Sequence, residues 1–271
     1  MGNFKIGNKE FSTDKTYVMG ILNVTPDSFS DGGRFVTMDK IISHAEDMKR
    51  NGAAIIDIGG ESTRPGYTMI SDNEEIARVV PAIEAIKSRI DCVISVDTYK
   101  SQVAEAAICA GADLVNDIWG LKYDSKMARV IQRYGVSCAI THNKNKPQYN
   151  VFVEDCLTEL KKMCDDALKA GISKDKIIAD IGLGFAKSSD QNLQAMKHLS
   201  RFVELGYPVL VGASRKSFIG NALDLPVHDR LEGTLLTTAL ACVNGANFVR
   251  VHDVKENVRV IKMYEKIMGV E

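Results

Sequence analysis

Short apolar runs alternate with amphipathic stretches along the whole chain. The runs are rich in Val and Ile, which is typical of strands, and the stretches between them carry apolar residues at helical spacing. Predicted strands cover residues 17–24, 54–59, 92–97, 113–117, 136–142, 176–181, 208–212 and 248–252. Predicted helices include residues 38–51, 74–90, 101–110, 151–170 and 256–268. The pattern therefore predicts repeated β-α units.

The number of these units predicts how the sheet closes. Eight β-α units in 271 residues are typical of a (β/α)8 TIM barrel. Several predicted helices end at a glycine, such as Gly52, Gly111 and Gly245, as is common before the next strand. A doubly wound open sheet is the alternative fold. No linker or repeat divides the chain, so we expect a single domain over residues 1–271, with residues 1–15 as an N-terminal lead-in.

Polar side chains end most of the predicted strands. In a TIM barrel the active site lies at the C-terminal ends of the strands and in the loops that follow them. The polar residues at these ends are Asn23, Asp97, Asn116, Asp117, His142, Asp180, Ser214, Arg215, Lys216, Arg250 and His252. In the second strand Asp57 lies inside the run, and Glu61, Thr63 and Arg64 follow it. Burying such groups is costly unless they are paired or used, so we expect a polar pocket.

Two parts of this pocket indicate different ligands. Asp97, Asn116 and Asp180 offer acceptors for a flat heterocycle with several N–H groups, such as a pterin or a purine. The alternative is that they cap the helices that follow. The stretch "SRKS", residues 214–217, opens a predicted helix and indicates an anion site. With Arg64, Arg250 and His252 nearby, a diphosphate or a carboxylate is favoured.

Charge and cysteine content narrow the class of function. The formal net charge is −1 and the pI is about 6.5, which argues against nucleic-acid binding and against a basic membrane-binding surface. Six cysteines without metal-ligand spacing suit free thiols in a reducing cytoplasm, and the first residues show no signal peptide. A tight transition-metal site is not predicted, whereas Mg²⁺ held by one or two protein oxygens and substrate phosphates stays open.

Seven blocks of sequence together resemble one enzyme family. In chain order they are "ILNVTPDSFSDGG", "IIDIGGESTRPG", "ISVDTYK", "LVNDIWG", "GLGFAK", "GASRKSFIG" and "VRVHDVKEN". The chain resembles the dihydropteroate synthase family from about residue 17 to residue 268. The resemblance implies a (β/α)8 barrel of folate biosynthesis, which joins 7,8-dihydropterin-6-methyl diphosphate to p-aminobenzoate and gives dihydropteroate and pyrophosphate. It also implies small-molecule substrates, a homodimer and a target of sulfonamides.

The resemblance also implies a role for individual residues. The pterin ring would be held by Asp97, Asn116, Asp180 and Lys216. The diphosphate would be bound by Asn23, Thr63, Arg250 and His252, with Mg²⁺ near Asn23 and Asp31. The p-aminobenzoate site would be formed by Phe29, Thr63, Arg64, Pro65, Phe185 and Ser217. The groups expected to support catalysis are Asn23, Asp31, Arg64, Lys216, Arg250 and His252.

The same resemblance gives the polar loop after Asn23 a purpose. We expect a lid in which Gly32 and Gly33 act as hinges, Asp31 reaches the metal or the cation, and Phe29 encloses the second substrate. Two positions depart from the family pattern. Thr141 stands where a Met is usual, and Ile181 stands where a Pro is usual, so substrate affinity is the property we expect to differ.

Two other functions share parts of this pattern. A methyltetrahydrofolate-dependent methyltransferase uses the same barrel and a pterin pocket, but it has no use for the "NVTPDSFSDGG" and "SRKS" blocks. A non-catalytic pterin-binding or partner-binding barrel would have lost some of the loop and anion-binding residues, which are all present here.

Overall fold

Parallel strands close into a barrel in the computed structural model of this chain, which describes residues 3–25, 34–61 and 68–270. The order around the barrel is β10-β3-β4-β5-β6-β7-β8-β9. These strands are β3 (Tyr17–Asn23), β4 (Ile55–Gly59), β5 (Val93–Asp97), β6 (Leu114–Asp117), β7 (Ser137–Thr141), β8 (Ile177–Asp180), β9 (Val209–Val211) and β10 (Phe248–Val251). The predicted strands agree with them to within one residue at each end. The (β/α)8 barrel is therefore confirmed, and the open sheet is wrong.

Helices surround the barrel on its outer side. In chain order they are α1 (Arg34–Arg50), α2 (Asp72–Lys87), α3 (Ser101–Cys109), α4 (Met127–Tyr134), α5 (Phe152–Lys169), α6 (Ser189–Lys197), α7 (Leu199–Val203), α8 (Ser217–Leu223), α9 (Leu231–Val243) and α10 (Val254–Met268). Each predicted helix is present. In the described part of the chain, no helix is both long and apolar enough to span a membrane.

A ring of apolar side chains fills the bottom of the barrel. Every barrel strand contributes one of them: Met19, Ile55, Val93, Leu114, Ala139, Ile178, Leu210 and Phe248. The predicted lead-in closes this end, because β1 (Phe4–Ile6) and β2 (Lys9–Phe11) form an antiparallel hairpin beneath the ring. Phe4 and Phe11 pack edge-on against Phe248, with ring centroids 5.7 and 5.5 Å away. The hairpin makes this end a packed floor.

Alternation along each strand then decides which residues lie above the floor. Successive side chains of a strand point to opposite faces, so the inward residues recur at every second position. The residues beside the floor ring, such as Val18, Ile56 and Ile94, belong to the separate core between the strands and the helices. Two positions beyond the floor, the inward residues are Ile21, Asp57, Ser95, Asn116, Thr141, Asp180, Gly212 and Arg250. Polar groups therefore meet directly above an apolar floor.

Candidate functional site

An arginine between two carboxylates forms the centre of the polar layer. The Nε atom of Arg250 donates to Oδ2 of Asp57 over 2.6 Å, and an Nη atom donates to Oδ2 of Asp97 over 2.5 Å. Asn116 joins the same group, because its Nδ2 lies 3.3 Å from Oδ2 of Asp57. Both carboxylates and the amide are buried, so water screens these interactions weakly. The cluster joins strands from opposite parts of the barrel.

Several acceptors of this cluster are left without a partner. Four buried oxygens have no hydrogen-bond partner among the described residues: Asp57 Oδ1, Ser95 Oγ, Asp97 Oδ1 and Asn116 Oδ1. Unsatisfied buried polar atoms are rare in folded proteins, since each costs free energy. Four of them above the same floor, on the neighbouring strands β4, β5 and β6, indicate a site for a ligand that carries several hydrogen-bond donors.

The burial of Asp97 changes its acidity. Removal from water raises the pKa of Asp97 to about 7, with the nearby charge of Asp57 acting in the same direction and Arg250 opposing both. A carboxyl group with this pKa changes its protonation state near neutral pH. An N–H donor placed against it favours the ionised form, so ligand binding and ionisation are linked.

The carboxylate of Asp180, at the end of β8, accepts hydrogen bonds from two donors. The hydroxyl group of Thr141 donates to Oδ2 over 3.1 Å, and the backbone N–H of Gly182 donates to Oδ1 over 2.8 Å. Thr141 is fully buried and Asp180 is nearly so. The carboxylate is therefore fixed in one orientation, with acceptor capacity left for a ligand.

Lys216 brings a cation to the same layer. Its ammonium group donates to the carbonyl oxygen of Leu183 and lies 4.6 Å from the ring centroid of Phe185. A Cβ at Gly212 would lie 3.9 Å from Lys216 Nζ and 4.0 Å from Arg250 Cβ, so these two side chains are neighbours across this glycine. Burial lowers the pKa of Lys216 to about 8, whereas the charge of Asp180 opposes the shift.

Two further predicted residues, Asn23 and His252, lie at the rim. Asn23 ends β3, and its Oδ1 lies over Gly59, where a Cβ would also contact Asp97. His252 follows β10, and its Nδ1 lies 3.0 Å from the hydroxyl oxygen of Ser214, which also accepts the backbone N–H of His252. These contacts fix the ring of His252 at the mouth of the barrel.

Comparison with known proteins shows the family of this chain. Residues 19–252 match the model of the family described as pterin binding enzyme. A dihydropteroate synthase of Clostridium beijerinckii is 54% identical over 266 residues, which cover 97% of this chain and 99% of that protein. The chain belongs to the dihydropteroate synthase family.

Solved structures of dihydropteroate synthases superpose on nearly the whole chain. The structure from Clostridium difficile, obtained in the presence of pteroic acid, has a TM-score of 0.90 and 47% identity, and the match covers 93% of this chain and 97% of that one. The structure from Xanthomonas albilineans with 4-aminobenzoic acid has a TM-score of 0.94 and 36% identity, with 99% of both chains covered. The chain is thus an enzyme of this family, a transferase, as the sequence blocks predicted.

Neighbouring residues of the "SRKS" stretch point in different directions and have different partners. Lys216 turns into the barrel, and Ser217 is exposed at the first position of α8. Arg215 instead pairs with the carboxylate of Asp253, through Nε at 2.9 Å and an Nη atom at 2.5 Å. It adopts a left-handed backbone conformation with φ of 57°. Of the two cations in this stretch, Arg215 is paired with Asp253, so only Lys216 points toward the polar layer.

A second buried ion cluster links the segments after β4 and β5 to helix α2. Lys100 Nζ bonds to Glu61 Oε2 at 2.8 Å and to Glu75 Oε2 at 2.7 Å, and it also bonds to the backbone oxygen of Ile70. The hydroxyl group of Tyr99 donates to the other oxygen of Glu61. Glu61 follows β4 as the sequence indicated, but its carboxylate holds neighbouring elements together and does not face the polar layer.

Five predicted site residues lie outside the described residues: Phe29, Asp31, Thr63, Arg64 and Pro65. The predicted lid, with its hinges Gly32 and Gly33, also lies outside them. Their assignments stay predictions. The structure does bring together Asp97, Asn116, Asp180, Lys216 and Arg250, and it places Phe185 over Lys216.

Sequence reasoning missed three residues of the polar layer. Asp57 was noted but given no role, Ser95 was not singled out, and Thr141 was noted only as a departure from the family. Asp57 and Ser95 lie two positions before the ends of β4 and β5, and Thr141 is paired with Asp180 in the strand ladder. All three are at inward positions of their strands. The signal that finds them is the alternation, counted back from the strand end.

Thr141→Val tests whether the hydroxyl group orients Asp180. The substitution keeps the shape but removes the donor, so we expect the affinity for pteroic acid to fall about tenfold, the equivalent of one charge-assisted hydrogen bond. Calorimetric titration measures it, and Thr141→Ser, which keeps the hydroxyl group, serves as the control. Equal affinities of the wild type and Thr141→Val would contradict this role.

Proposed function

We propose that this enzyme condenses 7,8-dihydropterin-6-methyl diphosphate with p-aminobenzoate to give dihydropteroate and pyrophosphate. The observation that carries the proposal is the set of unpartnered buried oxygens of Asp57, Ser95, Asp97 and Asn116. A pterin ring offers several N–H donors in one plane, which such a set accepts. The pteroic acid and 4-aminobenzoic acid named with the two related structures support both halves of the reaction.

Within this proposal the strands hold the pterin. Asp97 and Asn116 accept from one side of the ring, Asp180 accepts from another, and the ammonium group of Lys216 donates to a ring acceptor. Arg250 orients the carboxylates, since it is bonded to Asp57 and Asp97 before a ligand arrives. Little reorganisation is then needed at the moment of reaction, which is how fixed dipoles and charges contribute most to catalysis.

The diphosphate leaves at the rim. Asn23 and His252 lie at the mouth of the barrel, at the ends of the neighbouring strands β3 and β10, and Arg250 lies one inward position below His252. With Thr63, these residues form the predicted diphosphate subsite. His252 is positioned by Ser214, so its ring is oriented in advance. Hydrogen bonds to the departing oxygens favour the charge that develops there.

The proposed Mg²⁺ ion would bind at the rim together with the diphosphate of the substrate. Among the described residues there is no group of three or more His, Cys, Asp and Glu side chains that could hold a metal. The amide oxygen of Asn23 is a hard donor, and Mg²⁺ is commonly held by one or two protein oxygens together with substrate phosphates. Asn23 would hold it, with Asp31 as the second predicted oxygen donor. When bound there, Mg²⁺ would neutralise charge on the departing diphosphate.

The carbon–oxygen bond to the diphosphate breaks first in this mechanism, and the methylene cation is delocalised into the pterin. The aniline nitrogen of p-aminobenzoate then forms the new carbon–nitrogen bond and loses its proton. A strong general base is unnecessary, because that proton becomes acidic only after attack. The residues therefore act by positioning the two substrates and by excluding water from the cation.

Lys216→Ala tests the proposed reaction. We expect the wild type to release pyrophosphate only when p-aminobenzoate is present, in step with dihydropteroate, and the variant to lose about a hundredfold or more in kcat/KM because a desolvated charge is removed. A coupled pyrophosphate assay and chromatography of the product measure this. Lys126→Ala, at an exposed lysine, is the control.

The outcomes of that assay separate the alternatives. A wild type that binds the dihydropterin diphosphate without releasing pyrophosphate would favour a non-catalytic pterin-binding barrel. A wild type that does not bind it would contradict the pterin assignment of Asp97, Asn116 and Asp180.

The pH dependence of kcat/KM for the dihydropterin diphosphate tests the charge states. The ionised form of Asp97 is the stronger acceptor for an N–H group, so activity falls as pH drops through its pKa of about 7. Lys216 must be protonated to donate, so activity falls as pH rises through its pKa of about 8. We expect a maximum between these values. In Asp97→Asn the acidic limb disappears and the maximum is lower, and an unchanged acidic limb would assign that limb to another group.

We also propose a homodimer in a reducing cytoplasm, formed through the outer face of α9 and α10. Large apolar side chains are exposed on both helices: Leu236, Leu240, Val243, Met263, Ile267 and Met268. On α9 they recur at i, i+4 and i+7, so they form one stripe. An apolar surface of this kind on a soluble protein marks an interaction site. The free cysteines fit the reducing compartment.

Replacement of Leu236 and Val243 by Glu tests this face. Burying two carboxylates in the interface opposes association, so we expect the double variant to be monomeric when the wild type is dimeric. Size-exclusion chromatography with light scattering measures the mass. Leu193→Glu, at an exposed leucine of α6, is the matched control. A double variant that stays dimeric would place the interface elsewhere.

A further inference from the structure

The ammonium group of Lys187 lies under the loop that joins β8 to α6. It is within 2.9 Å of the carbonyl oxygen of Gly182, 3.2 Å of that of Phe185 and 3.2 Å of that of His142. It also lies 2.9 Å from Nδ1 of His142. An ammonium group has three hydrogens and no acceptor, so this cradle of four acceptors satisfies it completely.

The loop that it contacts has an unusual backbone. Gly182, Gly184 and Ala186 have positive φ angles of 69°, 80° and 47°. Ala186 is not a glycine, so this conformation costs free energy and persists only where the surroundings enforce it. A Cβ at Gly182 would lie 2.0 Å from the carbonyl oxygen of His142, which shows how closely the two segments approach. Lys187 is bonded to both of those segments.

His142 connects the cradle to the outer helices. Its Nε2 lies 2.8 Å from a carboxylate oxygen of Glu159 on α5. Burial, together with the charge of Lys187, lowers the pKa of His142 to about 3, so the ring is neutral. Nε2 then carries the hydrogen and donates to Glu159, and Nδ1 accepts from Lys187. The position of Lys187 is thus fixed by the barrel wall.

The far side of the same loop forms part of the candidate site. The carbonyl oxygen of Leu183 accepts from Lys216, and the N–H of Gly182 donates to Asp180. The ring of Phe185 lies against the ammonium group of Lys216. Lys187 therefore holds the loop from below through the carbonyl groups of two residues, Gly182 and Phe185, that make these contacts from above.

We propose that Lys187 is a positioning residue of the reaction, which holds the loop of residues 182–187 so that Phe185 and Lys216 are correctly placed for p-aminobenzoate. The inference deepens the proposed function and rests on it. Asp180 keeps its bond from Thr141 and its place on β8 when the loop moves, so the pterin subsite is less dependent on Lys187. Phe185 lies on the loop itself, so the second substrate is more dependent on it.

Lys187→Met removes the charge and keeps the length of the side chain. We expect KM for p-aminobenzoate to rise at least about tenfold, with a smaller change in KM for the dihydropterin diphosphate, since small displacements of positioning groups have large kinetic effects. For Lys187→Gln, which keeps a neutral donor, we expect a KM for p-aminobenzoate between those of the wild type and Lys187→Met. Lys144→Met is the matched control, because Lys144 bonds to Glu159 and to the backbone of Gln148 but not to the loop.

The unequal change in the two KM values separates positioning from general loss of structure, which would affect both substrates or lower the amount of active enzyme. If Lys187→Met does not fold, Lys187→Gln carries the same comparison. Equal KM values in the wild type and the folded variants overturn the inference while leaving the proposed function intact. A wild type without dihydropteroate formation overturns the proposed function instead.

Discussion

Side chains of a strand alternate between its two faces, and in a closed barrel this alternation decides where chemistry can lie. The inward positions of β5 are Val93, Ser95 and Asp97, and those of β10 lead from Phe248 to Arg250. Because neighbouring strands are in register, the apolar members meet as a floor and the polar members meet above it. A slip of one residue in β5 or β10 would turn Asp97 or Arg250 toward the apolar core between strands and helices, away from its present partner.

Two buried clusters show how the surroundings of similar charges determine their use. Lys100 with Glu61 and Glu75, and Arg250 with Asp57 and Asp97, each combine one cation with two carboxylates. In the first cluster Tyr99 and the backbone of Ile70 complete the hydrogen bonding of Glu61, so the arrangement holds loops and helices. In the second, an oxygen of each carboxylate is left unpartnered within the described residues. A fold gains nothing from such atoms, whereas a ligand with N–H donors does.

The sequence was sufficient for the barrel and for the strand ends at which Asp97, Asn116 and Asp180 lie, because both depend on local pattern. Strand ends follow from the apolar runs, and the position of Asp97 or Asp180 follows from the strand ends. Partners across the barrel do not, since they depend on register and side-chain rotamers. Arg215 illustrates the limit: its charge is adjacent to Lys216 in sequence, yet a left-handed backbone turns it toward Asp253. The N-terminal hairpin was missed for a similar reason, because its strands are three residues long and are stabilised by aromatic contacts with the floor.

The two substrates make different demands on the fold. The predicted pterin residues other than Lys216 lie on strands, where the ladder and the floor fix them. Among the residues predicted for p-aminobenzoate, Phe185 lies on the described loop between β8 and α6, where the backbone has no strand ladder to hold it. Such a segment needs side chains from elsewhere to fix its conformation, as the β8–α6 loop has in Lys187 and Asn192, whose Oδ1 accepts from Gly184. A reaction through a cation that water would trap needs both substrates placed before the diphosphate leaves. The contacts beneath such a loop therefore affect catalysis as much as the residues that face the substrates.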